Sequence, residues 1–246
     1  MSEIQFMQKP DWVSWADIKE CMTKAHETNK KKGIVMQNQS MSAEELGDNL
    51  KNAYCFVALH NNRVVGTCSF VIKKVNMWWA KGNVIYTFAL AIIPDYQGTD
   101  VYFGLQDLRM SYIKETGIRI IMSDTAESNI IAQKLNIKKG AKSVKLYASP
   151  NTWYYSVVMA QWLDGCPYSD WYCSFRFRIS KFIVKTIWKP GRFIRFLPLK
   201  DSDYQRIYDH YQLCSDVMSA EDFCKKSDID YGSFIKWEKR HMKKKN

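Results

Sequence analysis

"NVIYTFALAIIPDYQGTDVYFGLQDLRMSYIKETG", Asn83 to Gly117, is the stretch whose reading decides the fold. Its first third is apolar on both faces, the pattern of a central strand. Pro94 closes the run, and Gln97, Gly98, Thr99 and Asp100 form a polar turn before a long amphipathic helix that stops at Gly117. A strand that ends just before a helix leaves the first helical amides unpaired and pointing into the turn. With the positive end of the helix dipole, those amides make an anion site, for which a pyrophosphate is the natural occupant. Simple capping by Thr99 or Asp100 explains the same residues. The stretch alone leaves both readings open.

The flanking sequence supplies the frame. Upstream, "SWADIKECMTKAHETNKKKG" has Ser14 as a cap and Gly33 as a stop, which predicts a helix. "SAEELGDNLKNA" places Ser42 and Glu45 at capping-box spacing. "YCFVALHNNRVVGTCSFVIKKV" is two apolar runs about Asn61-Asn62, a hairpin, and "NMWWAKGN" is a loop into the central strand. Downstream, "IRIIMSDTA" reads as a strand and "SNIIAQKLNIKKGA" as a short helix. Its Ala132, Leu135 and Ile131 point inward, and Gly140 is its stop. Two more strands, "KSVKLYAS" and "TWYYSVVMAQWL", join around Pro150-Asn151. The order α, α, β, β, β, α, β, α, β, β predicts an α/β (α+β) fold. Its central sheet is mixed and mostly antiparallel, flanked by helices, with a small helical module at the C-terminus. The expected division is residues 1–165, a connector over 166–200 and the module over 201–246.

Composition bounds the function. The 246 residues carry a net charge of +11, which favours an anionic partner: nucleotide phosphate, nucleic acid or membrane surface. Seven scattered cysteines form no C-x-x-C pair, so no disulfide framework or zinc knuckle is written and no metal is expected. The start "MSEIQFMQKPDW" lacks the layout of a signal peptide, and "NVIYTFALAII" is too short to span a bilayer. A cytoplasmic, reduced protein is the expectation, with contact at a membrane periphery left open.

"IIPDYQGTDVYFGL" followed by "ESNIIAQKLNIKKGA" resembles the GCN5-related N-acetyltransferase superfamily, over roughly residues 1–163. That family has a strand, a turn of pattern Q/R-x-x-G-x-G/A and a helix, then N-x-x-A-x-x-L-Y-x-x-x-G-F. Gln97 opens the turn, and Asn129, Ala132, Leu135 and Gly140 fall in register. The turn departs from the pattern at Asp100 and Tyr102, where the family has small residues. Asn136 stands where many members have a tyrosine acid, and Ala141 where an aromatic is usual.

The resemblance implies an acyl-CoA N-acyltransferase fold and transfer of an acetyl group from acetyl-coenzyme A to a small-molecule amine, such as an amino sugar. It implies that the Leu90 amide polarises the thioester carbonyl and that the cofactor arm pairs with Leu90, Ala91 and Ile92. The diphosphate would sit on Gln97, Gly98, Thr99, Asp100, Val101 and Tyr102, and Asn129 would touch the arm. A glutamate base in some members falls on Tyr86, a poor base near neutrality. Tyr147, Tyr154 and Tyr155 are candidate acids, with packing the commoner role for strand tyrosines. His60 reads as a surface residue of the hairpin turn. Trp78 and Trp79 are candidates for an acceptor wall, with packing on the sheet edge the commoner outcome.

Trp171 to Lys200 contains no acid, and its eight cations alternate with aromatics. Packing against the domain with basic heads snorkelling, adhesion to an anionic membrane and nucleic-acid contact are its three readings. Pro190-Gly191 prevents one continuous helix. "SAEDFCKKSDIDYGSFIKWEKR" weakly resembles a transposase-type helix-turn-helix, with Phe223, Cys224, Ile229, Phe234 and Trp237 at its apolar positions and Ser233, Lys236 and Lys239 outward. A helical bundle docked on the main domain is the plainer reading. Lys243–Lys245 reads as a solvated end. The alternative to an enzyme is therefore a degenerate acetyltransferase fold acting through this basic C-terminal part.

Overall fold

The computed structural model describes residues 3–31, 34–36, 40–149, 152–191 and 193–242. Gly33, Pro150, Asn151, Arg192 and the Lys243–Lys245 run lie outside the described residues. The chain runs β1 (Gln5–Gln8), α1 (Trp15–Lys30), α2 (Ala43–Leu50), β2 (Tyr54–His60), β3 (Arg63–Met77), β4 (Ala80–Ile92), α3 (Val101–Glu115), β5 (Ile120–Ala126), α4 (Ile130–Lys138), β6 (Lys142–Ala148) and β7 (Tyr155–Trp162). It continues through α5 (Asp170–Ile187), β8 (Trp188–Lys189), β9 (Phe193–Ile194), α6 (Asp201–Gln212), α7 (Ala220–Lys226) and α8 (Tyr231–Met242).

Seven strands form one sheet in the order β1-β2-β3-β4-β5-β7-β6. Only β4 and β5 pair in parallel; the other neighbours are antiparallel. This is the mixed, mostly antiparallel sheet that the alternation of elements calls for. Strand β1 is an addition: four residues are too short to register as a periodic pattern, and its place comes from pairing with β2.

Local chemistry sets the boundaries. Ser14 and Ser42 each accept from the third helical amide, and Asp17 and Glu45 bond back to the cap amides. Each such cap is worth about 1 kcal/mol. Asn61 and Asn62 both hold positive φ (51° and 60°), the primed turn that matches strand twist, so β2 and β3 close into the expected hairpin. "NMWWAKGN" is no loop. Met77 pairs with Ala80, and Trp78 and Trp79 alone make the turn between β3 and β4. Trp79 is buried with Val84, Val144 and Val158, and Trp78 packs edge-on against Tyr168 and Tyr172, so both pack at the tip of this hairpin.

The main core lies where α1 packs on β3 and β4 and α3 packs on β1, β2 and β3. Val101 and Leu105 of α3 press against Gly66, and a Cβ on Gly104 would fall 2.3 Å from the Phe6 ring. Helix α4 differs from its expected facing. Ile131 is 74% exposed and Leu135 is also exposed. The inward side holds Ala132, Gln133 and Asn136 instead. Gln133 Nε2 donates to the Ala126 and Glu127 carbonyls, and Asn136 Nδ2 donates to Ala132 O. The Gln133 contacts tie this side of the helix to the end of β5 and turn its isoleucines outward, while the Asn136 bond stays within the helix.

The basic aromatic stretch is an 18-residue helix followed by a short hairpin across Pro190 and Gly191. Helix α5 lies along edge strand β6, where Ser180 Oγ donates to the Leu146 carbonyl and accepts from the Leu146 amide. The C-terminal helices enclose a second core of Phe223, Cys224, Ile229 and Phe234 around Trp153 and Phe193, with Val35 from the main domain. Trp237 is also buried, and Lys236 and Lys239 are exposed. A docked bundle therefore accounts for the apolar positions. Ser233 is half-buried, and its amide donates to Asp230.

Candidate functional site

The turn after β4 is built so that few of its amides are used. The Ile93 amide donates to Val65 O and holds the strand end. A single 3-10 turn over Pro94–Tyr96 follows, and Gln97 Nε2 donates to Ile92 O at 2.9 Å. The Gln97 side chain is thus an anchor of the turn. Gly98 sits at φ +80°, where a side chain would be strained. Thr99 Oγ1 donates to Tyr96 O at 2.7 Å and is reached only at 3.4 Å by the Val101 amide.

Asp100 holds the cap position in helical geometry and makes no side-chain cap bond. Of the two capping candidates, Asp100 makes no cap bond, and Thr99 takes only the long contact from the Val101 amide. Among the described residues, the amides of Gly98, Asp100, Tyr102 and Phe103 have no acceptor. Four unpaired donors at the start of a 15-residue helix make a local anion-attracting field. Val101 is buried against Gly66, so only its backbone belongs to the turn.

The large residue at position 102 has a defined place. Lys139 Nζ lies 4.6 Å from the centre of the Tyr102 ring and donates to Gln106 Oε1 at 3.0 Å. Arg109, buried in the same α3 face, also donates to Gln106, and no carboxylate pairs with either cation among the described residues. Burial first, and then the Arg109 charge, pushes Lys139 down to about 8. Lys139 thus stands over Tyr102 at the start of α3, and the buried Arg109 lies about two turns farther along the helix.

Beside the turn the sheet splits. β4 and β5 pair only at Ile85–Thr87 with Ile121–Ser123. A bulge puts one extra β4 residue opposite β3 between Thr67 and Ser69, and Ala89 takes φ +55° there. That conformation costs a non-glycine residue roughly 1 kcal/mol. The bulge re-aims the strand, so from Phe88 to Ile92 the edge of β4 toward β5 has no partner strand. Leu90, Ala91 and Ile92 lie along this open edge, and Leu90 has no counterpart in either ladder.

Where the two strands part, Asp124 of β5 gathers phenols. Tyr86 donates to Asp124 Oδ1 at 2.7 Å and Tyr147 to Oδ2. Phe88 stacks on Tyr86, and Lys73 Nζ lies 3.9 Å over the Tyr86 ring. Burial raises the pKa of Tyr86, Tyr147 and Tyr154, and the Asp124 charge raises it further. These phenols stay protonated at neutral pH and act as donors. Tyr86 is thus a hydrogen-bond donor to a carboxylate, and the basic atoms at this place are those of Asp124. Sequence reasoning missed Asp124. Its signal is a lone acid in an otherwise uncharged strand, "IIMSDTA", two residues from Met122 on the same face.

The remaining candidates are spread out. Asn129 Oδ1 caps α4 through the Ala132 amide. Tyr155 donates to Trp188 O, and Tyr154 approaches the Met36 sulfur. Both are anchors of neighbouring segments. His60 contacts the Tyr96 hydroxyl at the far side of the turn. The described residues hold no group of three or more His, Cys, Asp or Glu side chains suited to a metal ion.

The sequence profile described as Acetyltransferase (GNAT) family matches residues 15–137, half of the chain. A search of curated proteins finds no match. Among solved structures, the chain is similar to a chain of the NatC complex bound to Gag peptide and CoA, with TM-score 0.52 and 16% identity over 65% of this chain and 99% of that one. It is similar to an acetyltransferase of GNAT family from Staphylococcus aureus Mu50 with TM-score 0.50 and 16% identity, over 65% of this chain and 99% of that one. It is also similar to an acetyltransferase from Streptococcus agalactiae 2603 with TM-score 0.50 and 16% identity, over 65% of this chain and 98% of that one. At such identities the structural likeness shows the fold. No structural likeness to a transposase-type helix-turn-helix supports that reading of α7 and α8.

Proposed function

The chain belongs to the acetyltransferase (GNAT) family, and from that premise we propose that it transfers the acetyl group of acetyl-coenzyme A to a small-molecule amine. One observation carries this reading. The unpartnered edge of β4 past the Ala89 bulge leads through the Pro94–Tyr96 turn to a helix start around which four amides are free. An extended amide-bearing arm can add to a strand edge, and a diphosphate suits the helix start. The donor set fits acetyl-coenzyme A in both parts, with Lys139 beside Tyr102 as the nearby positive charge.

Acetyl-coenzyme A supplies an activated thioester carbonyl. The chain's own residues then have distinct tasks. The Leu90 amide, which has no counterpart in either ladder, would donate toward the carbonyl oxygen. Asp124 would receive the ammonium group of the acceptor and take its proton through the same oxygens that accept from Tyr86 and Tyr147. Tyr86 and Tyr147 hold that carboxylate in place and keep their own protons. An amine acceptor is favoured over an alcohol because a fixed carboxylate gains most from a cationic partner. An amino sugar meets this requirement, as do other small primary amines.

Differential scanning of the full chain with acetyl-coenzyme A tests the reading. Ligand at about a hundred times its dissociation constant should add roughly 2.7 kcal/mol of stability. No shift at millimolar ligand would remove the proposal.

A further inference from the structure

Surface helices ordinarily turn a polar face to water. Helix α5 turns out a stripe of Trp171, Phe175, Ile179 and Phe182, spaced four, four and three residues apart. Trp171 is 71% and Phe182 73% exposed, and the rings of Trp171 and Phe175 stack on each other in the open at 5.2 Å. The opposite side of the same helix, with Cys173, Phe177 and Val184, packs toward β6 and β7. The stripe is therefore surplus to the fold. It is about 16 Å long at the rise of an α-helix, and a contiguous apolar surface of this kind marks a docking site.

The surroundings of the stripe are cationic. Arg178 beside it has no acid partner among the described residues, nor has Arg176, which lies over the Trp78 ring. Lys181 and Lys185 share the single carboxylate of Glu127. Helix α4 runs next to α5 in the opposite direction: Ile137 near its end lines a cavity of about 320 Å³ with Phe177 and Arg178, and Glu127 before its start meets Lys181 and Lys185. It adds exposed Ile131 and Ile137, with Lys134 and Lys138 on the same face.

We propose that the α4–α5 face is a docking surface for an anionic lipid bilayer, with α5 lying in the plane of the interface. An in-plane helix needs this arrangement: an apolar stripe that enters the acyl boundary and cations at its margins that meet headgroup phosphates. A second copy of the chain fits less well. A two-fold contact through the stripe would set Arg176 and Arg178 of each copy against the other, and Asp170, the one acid of α5, already pairs with Lys142. Nucleic acid fits less well because the centre of the face is aliphatic and aromatic while the cations sit at its seams. The inference stands on α4 and α5 alone, so it holds or fails independently of acetyl transfer.

Co-sedimentation of the full chain with phosphatidylcholine vesicles, with and without phosphatidylglycerol, is the test. The protein should pellet with the phosphatidylglycerol vesicles, at least tenfold more tightly than with phosphatidylcholine alone, and release as salt rises. Phe175→Ser with Phe182→Ser, both at exposed positions and so compatible with folding, should weaken that binding at least tenfold while the melting temperature is kept. Equal affinity for both vesicle types, no binding to either, or binding untouched by the double substitution would overturn the proposal. So would a lipid-free dimer that the double substitution disperses, or tighter binding to duplex nucleic acid than to anionic vesicles.

Discussion

Replacing Asp124 by Asn tests the site at its least replaceable atom pair. The carboxylate accepts from Tyr86 at 2.7 Å through one oxygen and from Tyr147 through the other. An asparagine keeps one acceptor and presents an N–H to the second phenol, so one charge-assisted bond becomes donor against donor. Such a bond is worth about 1.5–3 kcal/mol; for a half-buried group we expect about 2 kcal/mol. At roughly 2–4 °C per kcal/mol for a chain of this size, the melting temperature should fall by about 4–8 °C.

The alkaline arm gives a second readout. Both phenols titrate above their ordinary value, through burial first and the Asp124 charge second. A folded value above the unfolded one contributes stability that is full below about pH 10 and is lost as pH rises beyond it. Without the Asp124 charge that loss should be shallower. Acetyl transfer to an amine should fall by about 10²–10⁴, with coenzyme A affinity unchanged. Scanning calorimetry from pH 7 to 11, with initial rates at pH 7.5, measures all three. A variant that keeps its melting temperature and its transfer rate would refute the role given to Asp124.

Three further outcomes follow from the same geometry. Lys139, pushed down to about 8, carries its charge only below that pH; coenzyme A affinity by titration calorimetry should drop severalfold from pH 7 to 9, and Lys139→Met should abolish that dependence. Gly104→Ala would drive a methyl into the Phe6 ring and part β1 from α3, lowering stability by about 1–3 kcal/mol in a urea titration. His210, buried beside Trp153 and Phe223, is pushed down to about 3. Its folded value lies below the unfolded one, so the stability it allows is full above about pH 6.5 and is lost as pH falls toward 3. His210→Phe should flatten that acid limb.

Much of the architecture was legible because single residues dictate it. Ser42 with Glu45 announces α2, and Asn61-Asn62 announces the hairpin, since few residues adopt positive φ cheaply. The parting of β4 from β5 was not legible. Its cause is a bulge at Ala89, and alanine gives no hint of a left-handed conformation where glycine would have done so. Asp124 was hidden for a related reason: its partners Tyr86 and Tyr147 lie 38 and 23 positions away, and only the sheet order brings them together. The rotation of α4 was misjudged because hydrophobicity points Ile131 inward, while Gln133 secures the opposite rotation through the Ala126 and Glu127 carbonyls. The same misjudgement concealed the outward isoleucines that border α5.

Amide hydrogen exchange with and without coenzyme A, resolved over residues 88–103, addresses the central claim most directly. The account predicts fast exchange at Gly98, Asp100, Tyr102 and Phe103 in the free protein and marked slowing there and at Leu90–Ile92 once coenzyme A is added. Unchanged exchange across that stretch at saturating or millimolar coenzyme A would contradict it.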